Sequence, residues 1–326
     1  MGARAFAGEP ALRARVGGKE LVVRGFDVCA DDRRVDCRRT FEPLADPHGV
    51  FPIRRLAHGP GVHYVSRFHA RRDPARVARR IDMFHIYGCF ALTSARSWKK
   101  SHNYHHRHVG QIATAPVGSF PIITTHMWRE ASPAERVRYR AMRYPLLVLC
   151  GYLTVFAFSI CLLPLLRDPK RHWDSALAIL AHGGLIAVLW LRGGFETAFF
   201  VVLLPLTIAA ALGSYLFFAQ HSFKRMIILS PEAWTVYKAA LKSSSYMRLN
   251  KLMQWFTGNI GYHHVHHLNV LIPFYRLPEA MAAIPELQSP ATTSLAPREI
   301  VACFRSSLWD ESRQRMVSYH EAAMLA

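Results

Sequence analysis

The sequence predicts an all-α, integral-membrane helical bundle, and three observations carry that prediction. Three long apolar segments lie at Tyr144–Leu166, Ser175–Leu191 and Thr197–Ala219. Each approaches the ~20 residues a membrane-spanning helix needs. Charge is kept apart from them: the 326 residues are 51% hydrophobic yet carry a formal net charge of +19. A basic soluble chain points first to nucleic acid. Here Lys and Arg crowd the flanks of the apolar runs, which fits a membrane protein on an anionic leaflet and excludes a nucleic-acid partner.

Residues 1–57 are rich in Arg and Pro and lack periodicity. Residues 1–80 hold 17 Lys/Arg against 9 Asp/Glu, a net of +8. This reads as a basic, disordered or surface arm, or as a stretch from a mis-specified gene start. No secretory signal is expected, since this stretch lacks an apolar run of the needed length. Residues 75–108 are helix-prone, with an apolar patch at Met83–Leu92, and residues 111–135 read as a loop containing Pro, Ser and Thr.

The first apolar segment has Arg136, Arg138, Arg140 and Arg143 before it and Arg167, Lys170 and Arg171 after it. Cations at both ends favour a tilted or re-entrant segment, followed by an out-and-back hairpin of the other two. The gap in that hairpin holds Arg192 and Glu196, and Lys224 and Arg225 follow it. Cys29, Cys37, Cys89, Cys150, Cys161 and Cys303 form no CxxC pair. They read as reduced structural residues, with no thiolate zinc site.

The 18 histidines concentrate in two clusters of one pattern, HxxHH. One is His102, His105 and His106; the other is His263, His266 and His267. Positions i, i+3 and i+4 share one helix face, so each box reads as a metal half-site facing the other across a bundle. Imidazole suits iron, copper, nickel or zinc. The boxes contain no carboxylate, which excludes the Glu-rich soluble di-iron bundles, and no HExxH is present. His221, beside Gln220 at the mouth of the third segment, is a further candidate ligand. His48, His126, His172 and His320 read as ordinary surface or hydrogen-bonded residues, and His182 as a polar residue facing the bundle interior.

The runs LTSARSWKKSHNYHH and KLMQWFTGNIGYHHVHHLNVLIPFYRLPE, with the Gln220-His221 pair, resemble the membrane fatty acid desaturase family over roughly residues 92–285. They look closest to its bacterial omega-6 (delta-12) acyl-lipid branch. The resemblance implies a helical membrane domain with a cytoplasmic helical cap carrying the histidine boxes, in a bacterial inner membrane. It implies two iron ions, O2 as co-substrate, and electrons from a separate ferredoxin or cytochrome b5. It implies an acyl substrate as glycerolipid, acyl-CoA or acyl-carrier protein. By matching position, His102, His105, His106, His221, His263, His266 and His267 become iron ligands.

The chain departs from the family's pattern at its first box. His58 and His63 have the HxxxxH count, but Gly-Pro-Gly lies between them and spoils a shared helix face. His69 is a rival, 33 residues before His102. These readings divide the chain into an N-terminal segment 1–57, a desaturase-like membrane domain 58–285 and a C-terminal cytoplasmic tail 286–326.

Removing hydrogen from an unactivated methylene is beyond acid–base catalysis and needs a metal that activates O2. Asn103, Asn259 and Asn269 are candidate partners for the outer ring nitrogens. Arg96, Lys99, Lys100, Lys224 and Arg225 are candidates for a head-group phosphate or an acidic ferredoxin patch. Trp98, Tyr104, Trp255 and Tyr262 read as interfacial or core aromatics. Two other readings stay open: lipid or carotenoid hydroxylation or ketolation on the same scaffold, and a catalytically inactive homologue with a lost first box.

Overall fold

A computed structural model describes residues 12–16, 19–23, 83, 85–112 and 120–324. His48, His58, His63 and His69 lie outside the described residues. The fold is mostly helical, with three small two-stranded sheets.

Helix α1 (Ala95–His108) carries the first HxxHH box. Two short helices follow within or across the expected 111–135 loop, α2 (Thr125–Glu130) and α3 (Pro133–Met142). Both begin on a capping side chain: Thr124 Oγ1 accepts from Met127 N, and Ser132 forms a capping box with Glu135. Such caps satisfy backbone donors that would otherwise be orphaned.

The first apolar segment is helical but interrupted. α4 (Pro145–Leu149) stops at Cys150, and a π-helical stretch, Tyr152–Leu162, runs on through Leu163–Arg167. Gly151 at the break allows a close crossing. A Cβ there would lie 2.6 Å from Ser214 Cβ and 2.7 Å from Ala210 O. Small residues let membrane helices approach in this way.

The second and third segments form α5 (Trp173–Ala198), a π-turn at Phe199–Leu203, and α6 (Leu204–Ala219). Together they make one 47-residue helix, the only one among the described residues long and apolar enough to cross a membrane. Gly194, at φ 78°, breaks it inside the gap the charges mark. Only a residue without a side chain adopts that conformation cheaply. The arms on either side are about 20 and 25 residues, each near one span. The π-helical stretch packs against both arms, while Leu180, Leu191, Phe200 and Ile208 face outward.

Beyond α6 come α7 (Val236–Lys242), α8 (Lys251–Phe256) and α9 (His263–Leu268), which carries the second box. α10 (Leu277–Ala283) and α11 (Pro297–Arg305) follow. Residues 286–324 are folded against the body. Cys303, Trp309 and Met316 share a buried cluster with Val148, Phe218 and Met247. Arg143, itself buried, clasps this region by donating to Ser306 O, Pro121 O and Ser222 Oγ.

Candidate metal centre

The helix that carries the first box is tied to α5 at its N-terminus. Ser94 caps it by accepting from Ser97 N, and donates its hydroxyl to buried Asp174 Oδ2 at 2.8 Å. The same carboxylate oxygen accepts from Arg96 N at 3.2 Å. A carboxylate at the positive end of a helix supplies both an acceptor and a favourable charge. His172 Nδ1 reaches Ser97 Oγ at 2.9 Å beside it. α9 is fixed from the other side. Val265 and Leu268 pack on Leu277, Ile284 and Leu287, and His264 Nε2 donates to Leu287 O.

The seven histidines the sequence singles out in boxes two and three and at position 221 come together as two adjacent groups. His105, His221, His263 and His267 form one, and His102, His106 and His266 the other. This corrects the expectation that each box forms its own half-site. Each box is instead shared between the groups: His102 and His106 go one way and His105 the other, and His263 and His267 part from His266. Helix geometry explains the split. Residues i and i+4 stand only about 40° apart, while i+3 and i+4 diverge by about 100°.

The ε-nitrogens of the first group converge. His105–His221 is 3.0 Å, His105–His267 3.2 Å, His221–His263 2.8 Å, His221–His267 3.1 Å and His263–His267 3.0 Å. His105 and His263 make no such close contact, although all four ligand atoms lie within 4.8 Å of one another. Nitrogens at about 2.1 Å from one ion are about 3.0 Å apart at right angles and about 3.4 Å apart in a tetrahedron. Five short separations of this size fit four donors that could hold a single ion. In the second group His106–His102 and His106–His266 are each 3.1 Å, and His266–His102 is 3.4 Å.

Burial keeps these rings neutral. His105, His106, His263 and His267 are held well below the usual histidine range, first by loss of water and then by neighbouring imidazoles. Burial brings His221 down to about 4, partly opposed by the Ser243 carbonyl that accepts from its Nδ1 at 3.0 Å. A neutral imidazole with its proton on Nδ1 points a lone pair from Nε2. Four such lone pairs aimed at one point repel one another, and a cation between them removes that repulsion. The donor set therefore fits a metal ion at the first group. The second group supplies three donors of the same kind.

The three asparagines do not serve as ring partners. Asn103 is exposed, Asn259 Nδ2 donates to Phe274 O, and Asn269 Oδ1 accepts from Leu271 N. Asn259 and Asn269 shape turns instead. His182 faces inward, with Nδ1 on Phe90 O and Nε2 on the Tyr152 hydroxyl. His126 pairs with Glu130 at the surface.

A cavity of about 520 Å³ opens on the metal groups, with His102 and His263 in its wall. Its remaining lining is largely apolar, including Phe120, Val155, Phe156, Leu206 and Phe217. That volume lies within the ~300–1,000 Å³ of small-ligand sites. Gln220 Oε1, buried in the same wall, has no hydrogen-bond partner. The cavity could not be read from the sequence, because its walls come from residues as distant as Tyr87 and His263.

A family model described as "Fatty acid desaturase" matches residues 35–295. A curated protein of Bacillus subtilis (strain 168) named "Fatty acid desaturase" is 32% identical over 236 residues. The alignment covers 72% of this chain and 66% of that protein, so the chain spans just under two thirds of the relative's length.

Proposed function

The chain belongs to the fatty acid desaturase family, and from that premise we propose that it introduces a double bond into a fatty acyl chain in a di-iron, O2-dependent reaction. The observation that carries this reading is the convergence of seven histidines beside a largely apolar cavity. His105, His221, His263 and His267 would hold one iron. His102, His106 and His266 would hold the other, joined by donors from the first-box candidates His58, His63 and His69. Bound iron supplies the O2-dependent oxidation that no side chain can perform.

The chain's own residues do the rest. Burial and mutual repulsion keep the imidazoles neutral and ready to donate. The Ser243 carbonyl fixes the tautomer and orientation of His221. Phe120, Val155, Phe156, Leu206 and Phe217 exclude water and hold a hydrocarbon chain. Holding one carbon pair beside the metals is worth several kcal/mol in lost-entropy terms.

Electron balance sets a further requirement. Converting –CH2–CH2– to –CH=CH– releases two electrons and two protons, while reducing O2 to two waters takes four of each. A separate reductant such as a ferredoxin or cytochrome b5 supplies the difference. The helix Trp173–Ala219 and the apolar Tyr152–Arg167 stretch support a membrane setting. We place the unit 58–285 there with its histidines on the cytoplasmic side, from the Lys and Arg that flank the apolar runs.

Expression in a bacterial host, followed by mass spectrometry of its acyl lipids, tests the proposal. New unsaturated chains that depend on His105 and His267 are expected. Hydroxylated or keto products without a double bond would move the chain to the hydroxylase or ketolase reading. Absence of any product despite an iron-loaded protein would favour an inactive homologue.

A further inference from the structure

His221 differs from His106, His263 and His267 on its outer side. His106, His263 and His267 leave Nδ1 without a hydrogen-bond partner. His221 Nδ1 instead donates to the backbone carbonyl of Ser243. Ser243 is buried, but the residue before it, Lys242, is exposed. The candidate metal group is thus one hydrogen bond and one peptide unit from the surface.

That surface is basic. Ile227 N donates to Lys242 O at 3.0 Å, and Ser243 Oγ donates to Ile227 O at 2.6 Å. These bonds lay the 224–227 segment against the end of α7. Lys224 and Arg225 on the segment and Lys238 and Lys242 on the helix are all exposed. Lys238 and Lys242, four apart, share a helix face. None of the four pairs with a carboxylate among the described residues. Glu232 is the one acidic residue between 222 and 242, and Glu286 approaches Tyr237 on the same helix.

We infer that Lys224, Arg225, Lys238 and Lys242 form the docking surface for an acidic one-electron carrier protein, seated beside the Ser243 carbonyl that holds His221. The inference rests on the oxidase reading above, which requires a reductant. A patch that served only anionic head groups would need no link to the metal ligands. Here the chain beneath the cations runs straight into the hydrogen bond that orients one of them. Complementary charge speeds and orients encounter with such a carrier.

The test uses the detergent-purified full chain and an acidic plant-type [2Fe–2S] ferredoxin as probe. Binding is measured by biolayer interferometry at low and high salt. The combined Lys224→Glu, Arg225→Glu, Lys238→Glu and Lys242→Glu variant should weaken binding on the order of tenfold or more at low salt, with the difference shrinking at high salt. A control carrying Arg138→Glu and Arg313→Glu should bind as the parent does. Equal ferredoxin affinity in parent and reversed variant overturns the proposal. So does a reversed variant that loses binding only to phosphatidylglycerol vesicles. Turnover driven by dithionite separates the two readings: the reversed variant should keep it. A parent inactive with every reductant counts against the oxidase reading, while the binding result still decides the docking surface.

Discussion

His267 sits at the centre of the four-histidine group, within 3.0–3.2 Å of the ε-nitrogens of His105, His221 and His263. Its replacement is the sharpest perturbation of the site. His267→Gln keeps a polar side chain of similar size, so the buried helix face is not left as a void. What remains is three donors, two of which, His105 and His263, make no close contact with each other. A four-donor structural site binds its ion with ~10–16 kcal/mol, so one donor is worth about 3 kcal/mol, or on the order of a hundredfold in affinity. The second group does not include His267. Detergent-purified parent protein should hold two irons per chain by plasma mass spectrometry, and His267→Gln about one after brief chelator treatment. His106→Gln should remove the other iron and leave the first. Parent-like iron content in His267→Gln, with its thermal stability intact, would refute the assignment of this group as a metal site.

Three further outcomes follow from the same structure. Asp174→Ala removes the carboxylate that holds Ser94 and Arg96 N. It should cost about 1–2 kcal/mol, seen as a lower Tm, while Asp174→Asn should recover part of the loss; no change in Tm would remove Asp174 from the anchoring role. Gly213 lines the cavity, and a Cβ there meets nothing within 4 Å. Gly213→Phe should therefore enter the cavity through an unobstructed Cβ and shift products toward shorter chains, whereas an unchanged chain-length profile would detach the cavity from substrate binding. Burial lowers both His221 and His264 to about 4 from an ordinary 6.5. Between those values the unfolded chain binds protons that the folded chain refuses. Stability of the metal-free protein should be full above pH 6.5 and fall toward pH 4, by about 1.4 kcal/mol per pH unit for each ring. Chemical denaturation across that range checks it, and a flat profile would contradict the burial of these rings.

The histidine boxes were legible because their geometry is local. Three residues within one helical turn announce a shared function whatever the rest of the chain does. Their division between two groups was not legible, since which histidines meet depends on the tertiary approach of His105 and His106 to His221, His266 and His267. The link from His221 to Ser243 is equally tertiary. Gly194 falls in the gap that Arg192 and Glu196 mark, so the break in the long helix was visible. The interruption at Cys150–Gly151 was not, because the apolar run continues through it. The 111–135 stretch shows a different miss. The sequence Ser132-Pro-Ala-Glu135 is a capping-box signature, and weighting Pro and Ser as loop residues hid it. The first-box candidates His58, His63 and His69 fall outside the described residues.

The central claim is that this histidine site, loaded with iron, takes two hydrogens from an acyl chain. Purified protein supplied with iron, O2, a reductant and an acyl lipid tests it most directly, with the recovered acyl chain weighed by mass spectrometry. A product lighter by two hydrogens, formed only in the iron-loaded sample and absent in His267→Gln, is the predicted result. A product heavier by one oxygen with no double bond, or the same product from metal-free protein, would contradict it.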